Sequence, residues 1–479
     1  MSMQLILALG TALSMGGDTA SEVVASTAPL ADSLLVQAPL LQTGELAEFG
    51  QLVVQSDPGG AIVGLTIHIP VGGARDPEGR EGTAFLLGQL LEEEASRRVA
   101  GLHAEASVEV GPESMTLSFA SPPNQWQAVL NEAESVLRGE GLDPSRLDSI
   151  RERQRARLTF EEGAPVRTFQ MEKEALLRRE AQGGGRPLMG RRETLDRITF
   201  DDLQEFRSRN LSRPWAVLAV VGPVDAAEVG RALSMTPVEV SASSPFQERP
   251  YQARAAGRRS AADTAAAPEG EPIGPLRTRL FRDSGAVPSS APSLTGSPAW
   301  TQEERRLEDM SLTSSWIAVA WPYPRDTPRI LLEFLAHTFH EALVPSPPDP
   351  GLYSAEIEVV VVEGRPILVV TAVADPRSAL RWEERIREGL DALAESPPEG
   401  SFFELTRRRY RSALLMELAD PLARSRHLAR EINDSGEVTD LQTQIWRLSR
   451  EGLARTAEAA AGPRIFILGP VEMMERAHR

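Results

Sequence analysis

The 479-residue chain carries 68 Asp and Glu against 51 Lys and Arg, a formal net charge of −17, and no cysteine. Its 41% hydrophobic and 25% charged residues are those of a globular protein, with length enough for two or three domains of roughly 150 residues each. The acidity argues against a nucleic-acid or anionic-membrane surface, which needs a basic face, and the lack of cysteine excludes disulfides, iron–sulfur clusters and thiolate zinc sites.

Residues 3–13 (MQLILALGTAL) form an apolar run the length of a signal-peptide core, too short to cross a bilayer. The first basic residue is Arg75, so a basic n-region is missing. The run predicts a leader over 1–35 and a periplasmic or secreted protein, with a cytoplasmic protein as the alternative. No later segment reads as a transmembrane helix.

Further along, residues 62–70 (IVGLTIHIP) read as an apolar strand ending in proline, followed by Arg75-Asp76-Pro77 and an amphipathic helix over 82–95. A strand over 115–120 then runs into Ser121-Pro122 and a helix over 126–138, and an arginine-rich helix follows over 145–158. A strand over 215–221 closes the series and leads into Gly222-Pro223-Val224 and an acidic helix start. Residues 241–298 are rich in Ala, Ser, Pro and Gly. Such a segment buries too little apolar surface to offset its ordering entropy, which predicts a flexible linker over 241–300.

The same order then recurs. A strand over 316–322 (WIAVAWP) leads to Arg325-Asp326 and a helix over 329–343; a strand over 367–374 runs into Asp375-Pro376 and a helix over 380–393. Another arginine-rich helix covers 403–415, and a strand over 465–468 ends in Gly469-Pro470-Val471. From Arg75 to Gly222 is 147 residues, and from Arg325 to Gly469 is 144. Several matched pairs in one order at nearly equal spacing indicate an internal duplication. Residues 276–282, followed by a turn, are expected to begin the second sheet as 52–55 begin the first. The expected fold is α+β. It comprises two homologous domains, over 36–240 and 301–479, each a mainly antiparallel sheet with helices packed on one face.

This order of elements, together with Gly185-Arg186-Pro187, Gly190, Arg192-Glu193-Thr194-Leu195, Thr199 and Arg213-Pro214, resembles the insulinase, pitrilysin and mitochondrial processing peptidase family. The local chemistry agrees, since Thr199 with Asp202 three residues on reads as a helix N-cap with early acidic charge. The resemblance implies a catalytic helix bearing His-x-x-Glu-His. Its two histidines, one turn apart, hold zinc and its glutamate is the general base. It also implies a third glutamate ligand roughly 70–80 residues on. The matching positions here hold Phe85, Gly88 and Gln89, with Arg157 near the third ligand. Phenylalanine and glycine have no ligating side chain, glutamine is a poor zinc ligand, and a guanidinium opposes the cation. The expectation is therefore no catalytic residue of the family's kind and no zinc or other cofactor.

Other candidates carry less. Glu92-Glu93-Glu94 lacks imidazole neighbours and reads as a solvated helix end. His337, His340 and Glu341 are the only histidine group at helical spacing, a weak metal candidate beside ordinary helix-face residues. The resemblance also implies a substrate-binding tyrosine in the second half, matched by Tyr353 in Gly351-Leu352-Tyr353-Ser354, whereas the arginine expected before it falls at Ser346 or Pro347. The runs around Arg151–Arg157 and Arg407-Arg408-Arg409 read as solvated or inter-domain helix faces. The reading that follows is a non-catalytic subunit paired with an active zinc peptidase of the family, contributing to a peptide-binding chamber. The rivals are a structural or assembly subunit comparable to respiratory-complex core proteins, and an active metallopeptidase with an atypical site.

Overall fold

The structure is a computed structural model that describes residues 40–46, 50–161, 164–178, 186–211, 216–233, 241–242, 300–344, 351–436, 438 and 441–478. The leader over 1–35, almost all of the segment between the halves, and the strand expected over 276–282 lie outside those residues.

The first half runs β1 (Leu40–Leu46), β2 (Gly50–Ser56), β3 (Val63–Ile69), α1 (Thr83–Val99), β4 (Glu105–Val110), β5 (Met115–Ser121), α2 (Trp126–Leu137), α3 (Ser145–Glu161), α4 (Pro165–Leu177), α5 (Arg192–Leu195), α6 (Phe200–Asn210), β6 (Val217–Gly222), α7 (Ala226–Ala232) and β7 (Ser241–Ala242). The second runs β8 (Glu303–Glu308), β9 (Ser315–Pro322), α8 (Arg329–Leu343), β10 (Leu352–Val362), β11 (Arg365–Ala374), α9 (Ala379–Glu395), α10 (Gly400–Glu417), α11 (Pro421–Ser435), α12 (Leu441–Arg447), α13 (Arg450–Glu458), β12 (Arg464–Gly469) and α14 (Val471–His478).

The duplication is written in the sheet order. Strands β4-β5-β3-β6-β2 of the first sheet match β10-β11-β9-β12-β8 of the second, and the first sheet adds β1 and β7 at its edge. Every pairing is antiparallel except β2 with β6 and β8 with β12, which are parallel and equivalent. The counterpart of β2 is thus β8, whose sequence EERRLE has none of the apolar alternation that marks a strand.

The central strands are buried along their whole length, which one layer of helices cannot achieve, because alternate side chains point to opposite faces. On β3, Val63, Leu65, Ile67 and Ile69 join the core made with α1 and α2. On β6, Val217, Ala219 and Val221 turn the other way and pack on Leu428, Ala429 and Ile432 of α11, a helix of the second half. The second sheet is treated in the same manner. On β12, Ile465 and Ile467 face their own helices, while Phe466 and Leu468 meet Phe169 and Leu176 of α4, from the first half. Each half therefore keeps its own helices on one sheet face and lends one helix to the other half's second face. Gly64 shows how closely α11 sits: a Cβ there would lie within 3.0 Å of the Pro421 carbonyl and the Leu422 nitrogen.

Polar and charged groups pin the exchange. Thr66 and Ser425 hydroxyls are 2.7 Å apart in the buried contact of β3 with α11, and Arg424 pairs with Asp57 at 2.7 Å. At the other exchange Arg464, fully buried, donates to the Leu176 carbonyl at the end of α4 (2.7 Å) and to the Thr301 carbonyl (3.1 Å), beneath the Trp300 ring.

Candidate functional site

Helix α1 is where the resemblance places the zinc helix, and its start is fixed by a buried carboxylate. Gly82 and Ala84 donate their backbone N–H groups to Asp76, at 2.7 and 2.8 Å, satisfying two of the donors that a helix N-terminus leaves open. Burial pushes the Asp76 carboxyl up to about 7, against the pull of those two donors. Gly82 enters the helix at φ 100, a left-handed conformation that favours glycine. The segment after α4 closes over this loop: Arg186 donates to the Asp76 carbonyl at 2.7 Å and Thr194 to the Glu81 carbonyl at 2.8 Å. The Thr199–Asp202 capping box forms as the sequence indicates, and Arg80 pairs with the same Asp202.

One turn into α1, Phe85 and Gln89 are half-buried and Gly88 is fully buried. The edge strand β4 lies against this face. A Cβ at position 88 would approach the Val110 Cγ2 methyl more closely than 3.0 Å, with Val108 Cγ1 next at 3.6 Å. The space a base side chain would need is occupied by a valine. Arg157 lies exposed on α3, which is tied to α1 by Arg146 and Arg153, both paired with Glu93. The two helices to which the resemblance assigns a zinc site are adjacent, and they are joined by ion pairs.

The glutamate run departs from the solvated reading. Glu94 is buried and takes Arg97 and Arg98 at 2.6 Å each, and Arg98 reaches on to Glu132 at 2.7 Å. Burial works against its ionisation, but these two arginines hold its carboxyl below the usual range. The arginines of α3 also serve as ties. Arg151 donates to the Leu195 and Ile198 carbonyls, at 3.0 and 2.6 Å, and Arg155 pairs with Glu152 and Asp196.

In the second half, His337 Nε2 stands 4.0 Å from Glu341 Oε1, with its ring against Tyr410 at 5.6 Å, while His340 is exposed. Glu341 is already engaged by the Thr406 hydroxyl at 2.7 Å and Arg409 at 2.9 Å. Burial lowers the His337 pKa. A carboxylate paired to arginine beside one half-buried and one exposed imidazole is a helix-packing arrangement, and among the described residues no group of three His, Asp or Glu is placed to hold a metal. Tyr353 opens β10 with 55% of its surface exposed, its hydroxyl 3.4 Å from Asp375. Ser346 and Pro347 lie outside the described residues.

No family model matches the sequence, and no curated protein does. Solved structures do. A protease from Helicobacter pylori superposes with a TM-score of 0.67 at 13% identity, over 90% of this chain and 100% of the other. An M16 peptidase inactive domain from Pseudomonas fluorescens gives 0.66 at 14%, over 90% and 98%. A chain of the Inz-5-bound complex III2 from Candida albicans gives 0.61 at 13%, over 91% and 98%. The fold defined by the two matched sheets is therefore that of the M16-like peptidases, shared across nearly the whole length of this chain. The resemblance read from the motif residues between Gly185 and Pro214 and from the order of elements holds at the level of that fold.

Proposed function

We propose that this chain is a non-catalytic M16-like subunit that pairs with an active zinc peptidase and supplies wall surface to a peptide-binding chamber. One observation carries the reading. At the helix matching the family's metal helix, the base position is a buried glycine covered by Val110, flanked by Phe85 and Gln89, with Arg157 on the neighbouring helix. No single replacement turns that arrangement into a zinc site, while the caps and loops that set the helix in place remain complete. The likeness to an inactive M16 domain supports it further. The likeness to a complex III2 chain favours a second reading, a structural or assembly subunit with no peptide traffic.

The test is co-expression with a zinc peptidase of the same organism that carries His-x-x-Glu-His. Under the first reading the two co-purify in equal amounts and cleave peptides. Replacing the partner's glutamate abolishes cleavage, and Gln89→Ala in this chain does not. A complex with no cleavage moves the assignment to the assembly subunit. Cleavage by the isolated chain, stopped by a chelator and restored by zinc, overturns both readings.

A further inference from the structure

The duplication supplies an internal control for surfaces. Helices α3 and α10 occupy matching places in the repeat, and each is followed by the helix lent to the other half. The outer face of α3 is polar, with Asp148, Ser149, Glu152 and Arg153 exposed, and has one exposed large apolar residue, Phe160, in its last turn. That is the ordinary pattern for a helix facing water. The outer face of α10 instead exposes Phe402, Leu405, Leu415 and Met416, the last by 79%. Beside it stands Trp446 of α12, 62% exposed, with Arg407 and Arg411 at 5.5 and 5.6 Å from its ring. Single scattered apolar residues need no explanation, but two exposed pairs about 15 Å apart on one helix, with an exposed tryptophan beside the arginines between them, mark an extended interaction surface.

The charge on this surface opposes that of the chain. Among the described residues, Arg408 and Arg447 are exposed without an acidic partner. Glu404 is taken by Arg407 and Glu399 by Arg450, so Glu417, in the last turn, is the one carboxylate of α10 without a cation. A basic, apolar face on a molecule of net charge −17 has a restricted set of complements. Pairing with the same face of a second copy would set Arg408 and Arg409 against their own equivalents, which like-charge repulsion disfavours. An anionic bilayer would repel the rest of the molecule.

We infer that the outer face of α10, with Trp446, docks a segment of a partner protein that presents apolar side chains flanked by carboxylates. The apolar residues supply buried area and the arginines fix orientation and exclude other partners. The inference holds under either reading of the function above.

A photo-crosslinking amino acid placed at Leu405 or Met416, and at Glu152 of α3 as the control, tests it in the full chain expressed at its natural level, with adducts sequenced by mass spectrometry. The expected result is one protein adduct from both α10 positions and none from Glu152, joined through a peptide with Asp or Glu beside apolar residues. Arg408→Glu with Arg411→Glu should lower its yield about tenfold, and Arg153→Glu on α3 should leave it unchanged. An adduct to lipid, to another copy of this chain or to a peptide without carboxylates overturns the inference. So does a yield at 405 and 416 no greater than at 152.

Discussion

Replacing Gly88 by alanine tests whether position 88 is closed. In a solvent-free interior position of a helix the change should stabilise by about 1 kcal/mol, because glycine loses more backbone entropy on folding than alanine. At this position the new methyl meets the Val110 Cγ2 group inside 3.0 Å. Valine is stiff about χ1 and β4 is hydrogen-bonded along β5, so relief requires a strained rotamer or a shifted strand. Such overpacking costs about 1–3 kcal/mol, leaving Gly88→Ala neutral to about 2 kcal/mol destabilised. Val110→Ala alone removes two half-buried methyl groups and should cost about 1–2 kcal/mol. In the double variant the clash is gone and the helix gain remains, so it should be at least as stable as Val110→Ala, with a coupling energy of about 1–3 kcal/mol. Urea denaturation of the four proteins at neutral pH gives the cycle. Additivity within about 0.5 kcal/mol would show that position 88 has room for a side chain, and the argument for a closed site would fail. The same contact predicts that Phe85→His, Gly88→Glu, Gln89→His and Arg157→Glu together will not retain stoichiometric zinc after dialysis while Val110 is in place, as read by metal analysis.

Three further predictions concern how the halves hold together. Gly64→Ala places a Cβ against the backbone of Pro421 and Leu422; it should destabilise by about 2 kcal/mol or more and speed proteolysis around α11, and a wild-type urea midpoint would refute the close approach. Arg464→Met leaves the Leu176 and Thr301 carbonyls without their donor and should cost about 3 kcal/mol, seen in the same denaturation assay. His68 is buried between the first sheet and α11, bonded at 2.9 Å to Thr116, and its pKa falls to about 4 through burial, with Asp434 raising it and Arg430 lowering it. Its folded pKa lies below the unfolded value of 6.5, so its contribution is complete above pH 6.5 and is lost as pH falls through about 4. The loss amounts to about 3 kcal/mol, and His68→Gln should flatten that part of the stability–pH curve.

Much of this protein was legible in one dimension. The matched spacing of strand, Arg-Asp turn, helix and closing Gly-Pro-Val determined the duplication, because repeated units fold alike when their apolar periods and turns repeat. The residue types at 85, 88, 89 and 157 were enough to argue against the family's metal chemistry, since ligation depends on which atoms a side chain carries. Other features needed three dimensions. β8 is a strand because β12 offers it a parallel edge, not because EERRLE has a strand's pattern. Glu94 is buried because Arg97 and Arg98, one turn along, neutralise it. The exchange of α4 and α11 between halves, and the valine packed against the position that the family resemblance gives to a glutamate, join residues tens to hundreds of positions apart, and no local pattern in a sequence records which distant side chain will occupy a given space.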